Sequence, residues 1–463
     1  LFIAIGHLLF LGLFLLAYKY FMVRCIHVDS AYQIFKWVNN SGVEVEVHRF
    51  SAVFPQLIVK LLRAFNVDLN RLLIVASLAH VLVPYTIFIV LAHLWRMPWL
   101  AVGCALAAVL CTRLTFYGIV LEANYLLCYP ILFAGALLGP YQRQRSSVNG
   151  AMVLGALVLV LTVHPVGFLI ALFILALFFP LLTSARKTVL LLGALCILWG
   201  AFSRVVLPPS SYETELYSSA GQGLSHLSDL LELPASQFLV GHSWQLTTHY
   251  LATWILLSIL IGILAYSKKW YTLLVVVGSI IGYVLLNVLT YSVGEAAMMM
   301  EKNFLPLATL ISLPLMMALG VSTERYQRWA VLPFLVVLFI QFRGIAFASR
   351  PAHERFDLIH DLVGEVREKG IRNAIVSGAE LDHAGLHIHW ALAYETLLLS
   401  AVDGPNECVI VHTDKTLSGN KKRDISLLDL EPSYSIGSLR QQYFRIVDTH
   451  PERLSPALLN TDE

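Results

Sequence analysis

Charge is scarce in this sequence: Asp, Glu, Lys and Arg make up 13% of its 463 residues, against roughly a quarter in soluble domains. With 57% hydrophobic residues, the chain has more apolar surface than a water-soluble fold can hide. The formal net charge is only +2 and no basic patch stands out, which excludes nucleic acid as a partner. No Walker, dinucleotide-binding or zinc-protease motif occurs, which disfavours an ATP-driven pump. Repeats of fixed period and low-complexity tracts are also missing. Cysteine is sparse. Cys104, Cys111, Cys128 and Cys196 fall in or beside apolar runs, where a thiol packs, while Cys25 and Cys408 are expected to be exposed on one side, leaving a disulfide open. The first apolar run continues into the bulky Ala17-Tyr18-Lys19-Tyr20-Phe21, which fits a cleavable signal peptide poorly.

What the sequence has in abundance is long apolar runs. A helix needs about 20 residues to cross a hydrocarbon core, and windows of that kind predict about eleven spans. They are Leu1 to Val23, Arg71 to Leu94, Trp99 to Phe116, Leu121 to Leu138, Ala151 to Val163, Val166 to Leu182, Val189 to Val206, Tyr250 to Tyr266, Tyr271 to Leu289, Phe304 to Leu319 and Val331 to Phe347. His164-Pro165 divides what would otherwise be one long helix, because proline removes a backbone donor. Basic residues set the orientation. If the first span enters from the cytoplasm, Arg96, Arg143, Arg145, Arg186, Lys187, Lys268, Lys269, Arg325 and Arg328 all fall inside. The segments 24–70, 207–249 and 291–302, and everything after Phe347, then share the periplasmic or luminal side.

The fold class expected is therefore mostly α: a transmembrane bundle over 1–347 and a small soluble α/β domain over 348–463. In the first external segment, Ser30 to Val38 and Phe54 to Phe65 mix apolar and polar residues in the manner of helices lying at the membrane interface, with Trp and Lys as anchors. Leu224 to Leu239 suggests another surface helix. After Phe347 charged residues arrive abruptly. Phe356 to Val366 follows helical spacing with a stop at Gly370. Ala374 to Val376 and Cys408 to Val411 are expected strands, Trp390 to Ala401 a helix, and Ile425 to Leu430 and Tyr443 to Val447 possible further strands.

Chemistry is expected in the external segments. Asp29, a few residues beyond the first span, can act as a base or hold a divalent metal; alternatively it caps the following helix. His48 and Arg49 beside a carboxylate suit an anionic, phosphate-bearing substrate, since Arg offers a planar fork of donors. Glu122 and Asn124 open one span and Arg113 ends the one before it. Glu301 and Lys302 sit at another external turn, as a substrate-facing pair or a membrane-edge charge pair. In the soluble domain Asp382, His383, His387 and His389 are close in sequence, but the spacing matches no known metal site and favours a surface or structural role.

His27-Val28-Asp29-Ser30-Ala31-Tyr32, Gly42, His48-Arg49 and Pro55 together resemble the first external loop of the GT-C class of integral membrane glycosyltransferases. Glu122-Ala123-Asn124, His164-Pro165-Val166-Gly167 and Glu301-Lys302-Asn303-Phe304-Leu305-Pro306 are similar to short stretches of that class, and the order of parts matches over most of the chain. Unlike many members, this chain has a lone Asp29 without a second acid beside it. The resemblance implies a polyprenyl-phosphate-linked sugar donor and inverting transfer to an acceptor on the external face. Asp29 would be the general base, with His48, Arg49, Arg113, Glu122, His164, Glu301 and Lys302 around the substrate. Arg49, Arg113 or Lys302 would neutralise the departing lipid phosphate. The resemblance fixes no cofactor and leaves a divalent metal open. The competing readings are a non-catalytic membrane subunit of a larger complex and, further off, a transporter, which would need broken helices and pseudo-symmetry.

Overall fold

The computed structural model describes the chain except residues 142–143, 145, 208–213, 215–217, 220, 222, 245–248, 321–323, 415–433, 435, 447–451 and 455–463. It is mostly helical, with one small sheet. Among the described residues seven helices are long and apolar enough to cross a membrane: Phe2–Lys19, Leu69–Leu94, Glu122–Gly139, Thr183–Ser203, Trp270–Thr290, Ala297–Gly320 and Val331–Glu368. These make the chain a multi-pass membrane protein. The remaining expected windows are also helical but shorter: Pro98–Ala107, Ser147–Leu161, Gly167–Phe178 and Tyr250–Tyr266.

Two of the short helices have visible causes. The window from Trp99 turns after Ala107, and Cys111 takes a left-handed φ of +62°. Gly167 starts its helix so close to the carbonyl oxygen of Val160 that any side chain there would collide with backbone. Glycine therefore lets the chain double back through His164-Pro165.

The segment that follows the first apolar helix departs from its expected interfacial role. Helix α1 (Phe2–Lys19) leads through α2 (Phe21–Cys25) to α3 (Val28–Asn39), and every residue of α3 from Ser30 to Val38 is buried. Its Trp37 and Lys36 are not membrane anchors. Lys36 forms ion pairs with Glu44 and Glu46, and Phe35, Ile34 and Trp37 share one apolar core with Ile359, Leu362, Tyr394, Leu397 and Val411 of the C-terminal region. Each such side chain contributes about 1.5–3 kcal/mol by leaving water. Helix α4 (Phe54–Ala64) does keep an outward apolar stripe, with Phe54, Leu57, Leu61 and Phe65 exposed.

The C-terminal region is not a detached domain. The helix ending at Phe347 is followed, after Ala348 alone, by Ser349–Glu368, which buries Ile359, Leu362, Val363 and Val366. Gly370 (φ +73°) ends that run. Strands β1 (Asn373–Val376), β2 (Ile410–Thr413) and β3 (Glu452–Arg453) form a parallel sheet in the order β2-β1-β3, with Asn373 opposite Ile410 and Ala374 opposite Glu452. The helix Leu392–Ala401 crosses between β1 and β2. Residues 443–446 are not a strand, because Tyr443 and Phe444 turn inward to bury their rings. The expected strand at Ile425 to Leu430 lies outside the described residues. Leu224 to Leu239 breaks into a 3-10 turn, Leu224–Asp229, and the helix Pro234–Gly241.

The thiols also differ from expectation. All six cysteines are free and buried. Cys25 donates to the carbonyl of Leu73 at 3.2 Å and Cys408 to that of Pro405 at 3.1 Å, so neither is placed for a disulfide.

Candidate functional site

Asp29 sits in the first turn of α3, whose N-cap is His27. Its carboxylate caps nothing, and among the described residues it makes no hydrogen bond or ion pair. What orients it is the backbone one residue earlier. Val28 adopts a left-handed φ of +33°, strained for a β-branched residue, and its N–H donates to Glu395 Oε1 at 2.8 Å. Arg355 clamps the same fully buried Glu395 from the other side, Nε to Oε1 at 2.9 Å and Nη2 to Oε2 at 2.6 Å. Arg355 Nη2 also donates to the carbonyl of Ile388.

Residues far apart in sequence converge on Asp29. Burial pushes its carboxyl up to about 6; the Lys302 and Arg49 cations pull it down, and the Glu122 and Glu395 anions push it up. Arg49 pairs with Glu122 at 2.6 Å, both side chains nearly buried. His164, on the turn made possible by Gly167, is held well below its ordinary range by burial and then by the same Arg49 and Lys302 charges. It is a neutral imidazole at physiological pH. The cluster is thus one unpartnered carboxyl, two cations, a second carboxylate and a neutral histidine.

The other expected site residues have different places. His48 is exposed on a left-handed turn with Val47, φ +59° and +45°, which directs the neighbouring Arg49 inward. Glu301 and Lys302 do not pair. The Glu301 carboxylate is wholly buried and accepts the N–H groups of Arg113, Leu114 and Thr115 at 2.6, 3.0 and 2.9 Å, and the Thr115 hydroxyl at 2.7 Å. It holds the bend after the Pro98–Ala107 helix, and Arg113 enters this arrangement through its backbone. Asn124 donates to the carbonyls of Thr115 and Gly118 and steadies the same bend.

A polar crevice opens beside the cluster, lined by Gln33, Trp37, Glu44, Glu46, Arg49 and Glu122 among others. Glu44, Glu46, Arg355 and Glu395 were not singled out from the sequence. For Glu395 a signal existed: it is the one acid in the apolar run Leu392 to Leu399, and a buried carboxylate demands a partner. Among the described residues no three His, Cys, Asp or Glu side chains form a group suited to a metal ion. Asp382, in the short helix Gly378–His383, instead lies 3.0 Å from His389 Nε2 and 3.6 Å from His387 Nδ1, both on an irregular segment rather than a strand. Comparison of the chain with protein-family models, curated proteins and solved structures finds no match.

Proposed function

We propose that this protein is a membrane glycosyltransferase of the GT-C type, with Asp29 as general base on the external face. In this reading a polyprenyl-phosphate-linked sugar enters beside α3, and Asp29 takes the proton of an acceptor hydroxyl as that oxygen attacks the sugar carbon with inversion. The bond to the lipid phosphate breaks, and Arg49 or Lys302 neutralises the phosphate that leaves. About eleven crossings, with the N-terminus cytoplasmic and the C-terminal region periplasmic or luminal, belong to the same proposal.

The observation that carries it is a carboxyl with no hydrogen bond or ion pair among the described residues, raised to about 6 and acted on by two cations, one of which, Arg49, lines a polar crevice. A general base works best with a pKa near the working pH, and a cap or a structural ion pair would have used its oxygens. Burial of α3 beneath the C-terminal region supports a preorganised base.

The test is sugar transfer by membranes or purified protein given polyprenyl-phosphate sugars. Asp29→Asn should abolish transfer at unchanged expression. Transfer retained by this variant would defeat the assignment, and a wild-type chain inactive with every donor would favour a non-catalytic subunit.

A further inference from the structure

A second cavity inside the bundle shares no lining residue with the crevice lined by Arg49 and Glu122. Arg24 on α2 is 2% exposed, and its guanidinium bonds only to neutral acceptors. Nε donates to the carbonyl of Phe116 at 2.9 Å, and Nη1 to the carbonyl and hydroxyl of Ser77 at 2.8 and 2.7 Å. The Phe116 ring covers one face at 4.2 Å. Among the described residues no carboxylate pairs with Arg24, and its Nη2 has no acceptor. A buried cation left without a counterion is costly, so such groups are ordinarily paired.

The cavity beside it, about 60 Å³, is lined by Arg24, His80 and Thr112 at its polar part and by Leu13, Val81 and Pro84 along apolar walls. His80 Nε2 and Thr112 Oγ1 are buried and have no hydrogen-bond partner. The Tyr125 hydroxyl lies 2.6 Å from His80 Nδ1. If the phenol donates to Nδ1, its own proton is satisfied and Nε2 carries an N–H. A guanidinium, an imidazole N–H and a hydroxyl from three separate segments then border one space with nothing to receive them. By this measure a water needs about 10–15 Å³, so the space admits a tetrahedral group of five heavy atoms.

We infer that this cavity binds a phosphate group, held by Arg24, His80 and Thr112. A phosphate supplies the missing counter-charge, and its tetrahedral oxygens meet donors that converge from three segments, where a planar carboxylate presents both oxygens to one side. A lipid phosphate, its chain leaving past the apolar Leu13, Val81 and Pro84, and free phosphate present the same head to this space. The inference does not depend on sugar transfer, because the site needs no part of the Asp29 cluster.

The full chain, purified in phosphorus-free detergent, is assayed for retained organic-extractable phosphorus and, after delipidation, for binding of radiolabelled orthophosphate. About one phosphorus per chain in the first arm identifies a lipid source and saturable binding only in the second identifies free phosphate; either supports the site when Thr112→Val weakens it. Thr112→Val, which keeps the shape and removes one donor, should weaken binding about tenfold, and Arg24→Gln should abolish it. If Arg24→Gln does not fold, Thr112→Val carries the test. Transfer retained by Asp29→Asn would defeat the transferase reading without touching this result, which is read on Thr112→Val. No phosphorus in either arm, or unchanged binding by Thr112→Val, overturns the inference.

Discussion

Glu395 accepts the backbone N–H of Val28 at 2.8 Å, across 367 positions of sequence, and so holds the residue that precedes Asp29. The contact joins the C-terminal region to the segment after α1 through a carboxylate fully withdrawn from water. Because Arg355 binds both oxygens of that carboxylate, removing the acid strands a nearly buried cation. Glu395→Ala should cost about 3–5 kcal/mol, read as a lowered midpoint in detergent unfolding. An unchanged midpoint would mean that the clamp does not hold this face together.

The pH dependence follows from Asp29. A base must be deprotonated, and its carboxyl lies at about 6. Transfer should be constant well above that value and fall as pH drops through it, about tenfold per unit on the acid limb. A limb centred near 4, where an ordinary carboxyl titrates, would contradict the enclosed site.

Neighbouring charges move that limb in opposite directions. Glu122 raises the Asp29 carboxyl and Lys302 lowers it. Glu122→Gln should shift the acid limb to lower pH and Lys302→Met to higher pH. Both profiles are measured with the wild-type assay, and shifts of the same sign would show that these charges do not act on Asp29 as the geometry requires.

Glu301 offers a contrasting case. Its carboxylate receives three backbone N–H groups and a hydroxyl, and an amide has only one oxygen to offer them. Glu301→Gln should therefore destabilise the fold by about 3 kcal/mol, with lower yield and earlier thermal unfolding. Full stability with lost activity would instead assign this residue to the substrate.

The apolar stripe of α4 makes a prediction about lipid. Leu61 is 61% exposed and Phe65 74%, which suits contact with the headgroup region. Leu61→Cys, carrying a polarity-sensitive thiol-linked fluorophore while the six native thiols stay buried, should emit at short wavelength in nanodiscs and be quenched by brominated lipid. Emission typical of water, without quenching, would remove the helix from the interface.

What this sequence determined by itself was its solvent and its rhythm. Apolar runs separated by polar turns require a helical membrane body, because an unsatisfied backbone in hydrocarbon is too costly. Local signals such as Gly370, the short strand Ala374 to Val376 and the His164-Pro165 break also acted within a few residues of themselves. The tertiary structure decided how long each helix runs, since the bend at Cys111 depends on Glu301 some 190 positions away. It also decided that α3 lies beneath the C-terminal region rather than on the membrane. Amphipathic periodicity states only that a face seeks apolar cover, and lipid and a neighbouring core supply that cover equally well. The company of Asp29 was decided in the same way: Arg49, Glu122, His164 and Lys302 meet there because packing brings their segments together, and Coulomb forces depend on distance in space, not on separation along the chain.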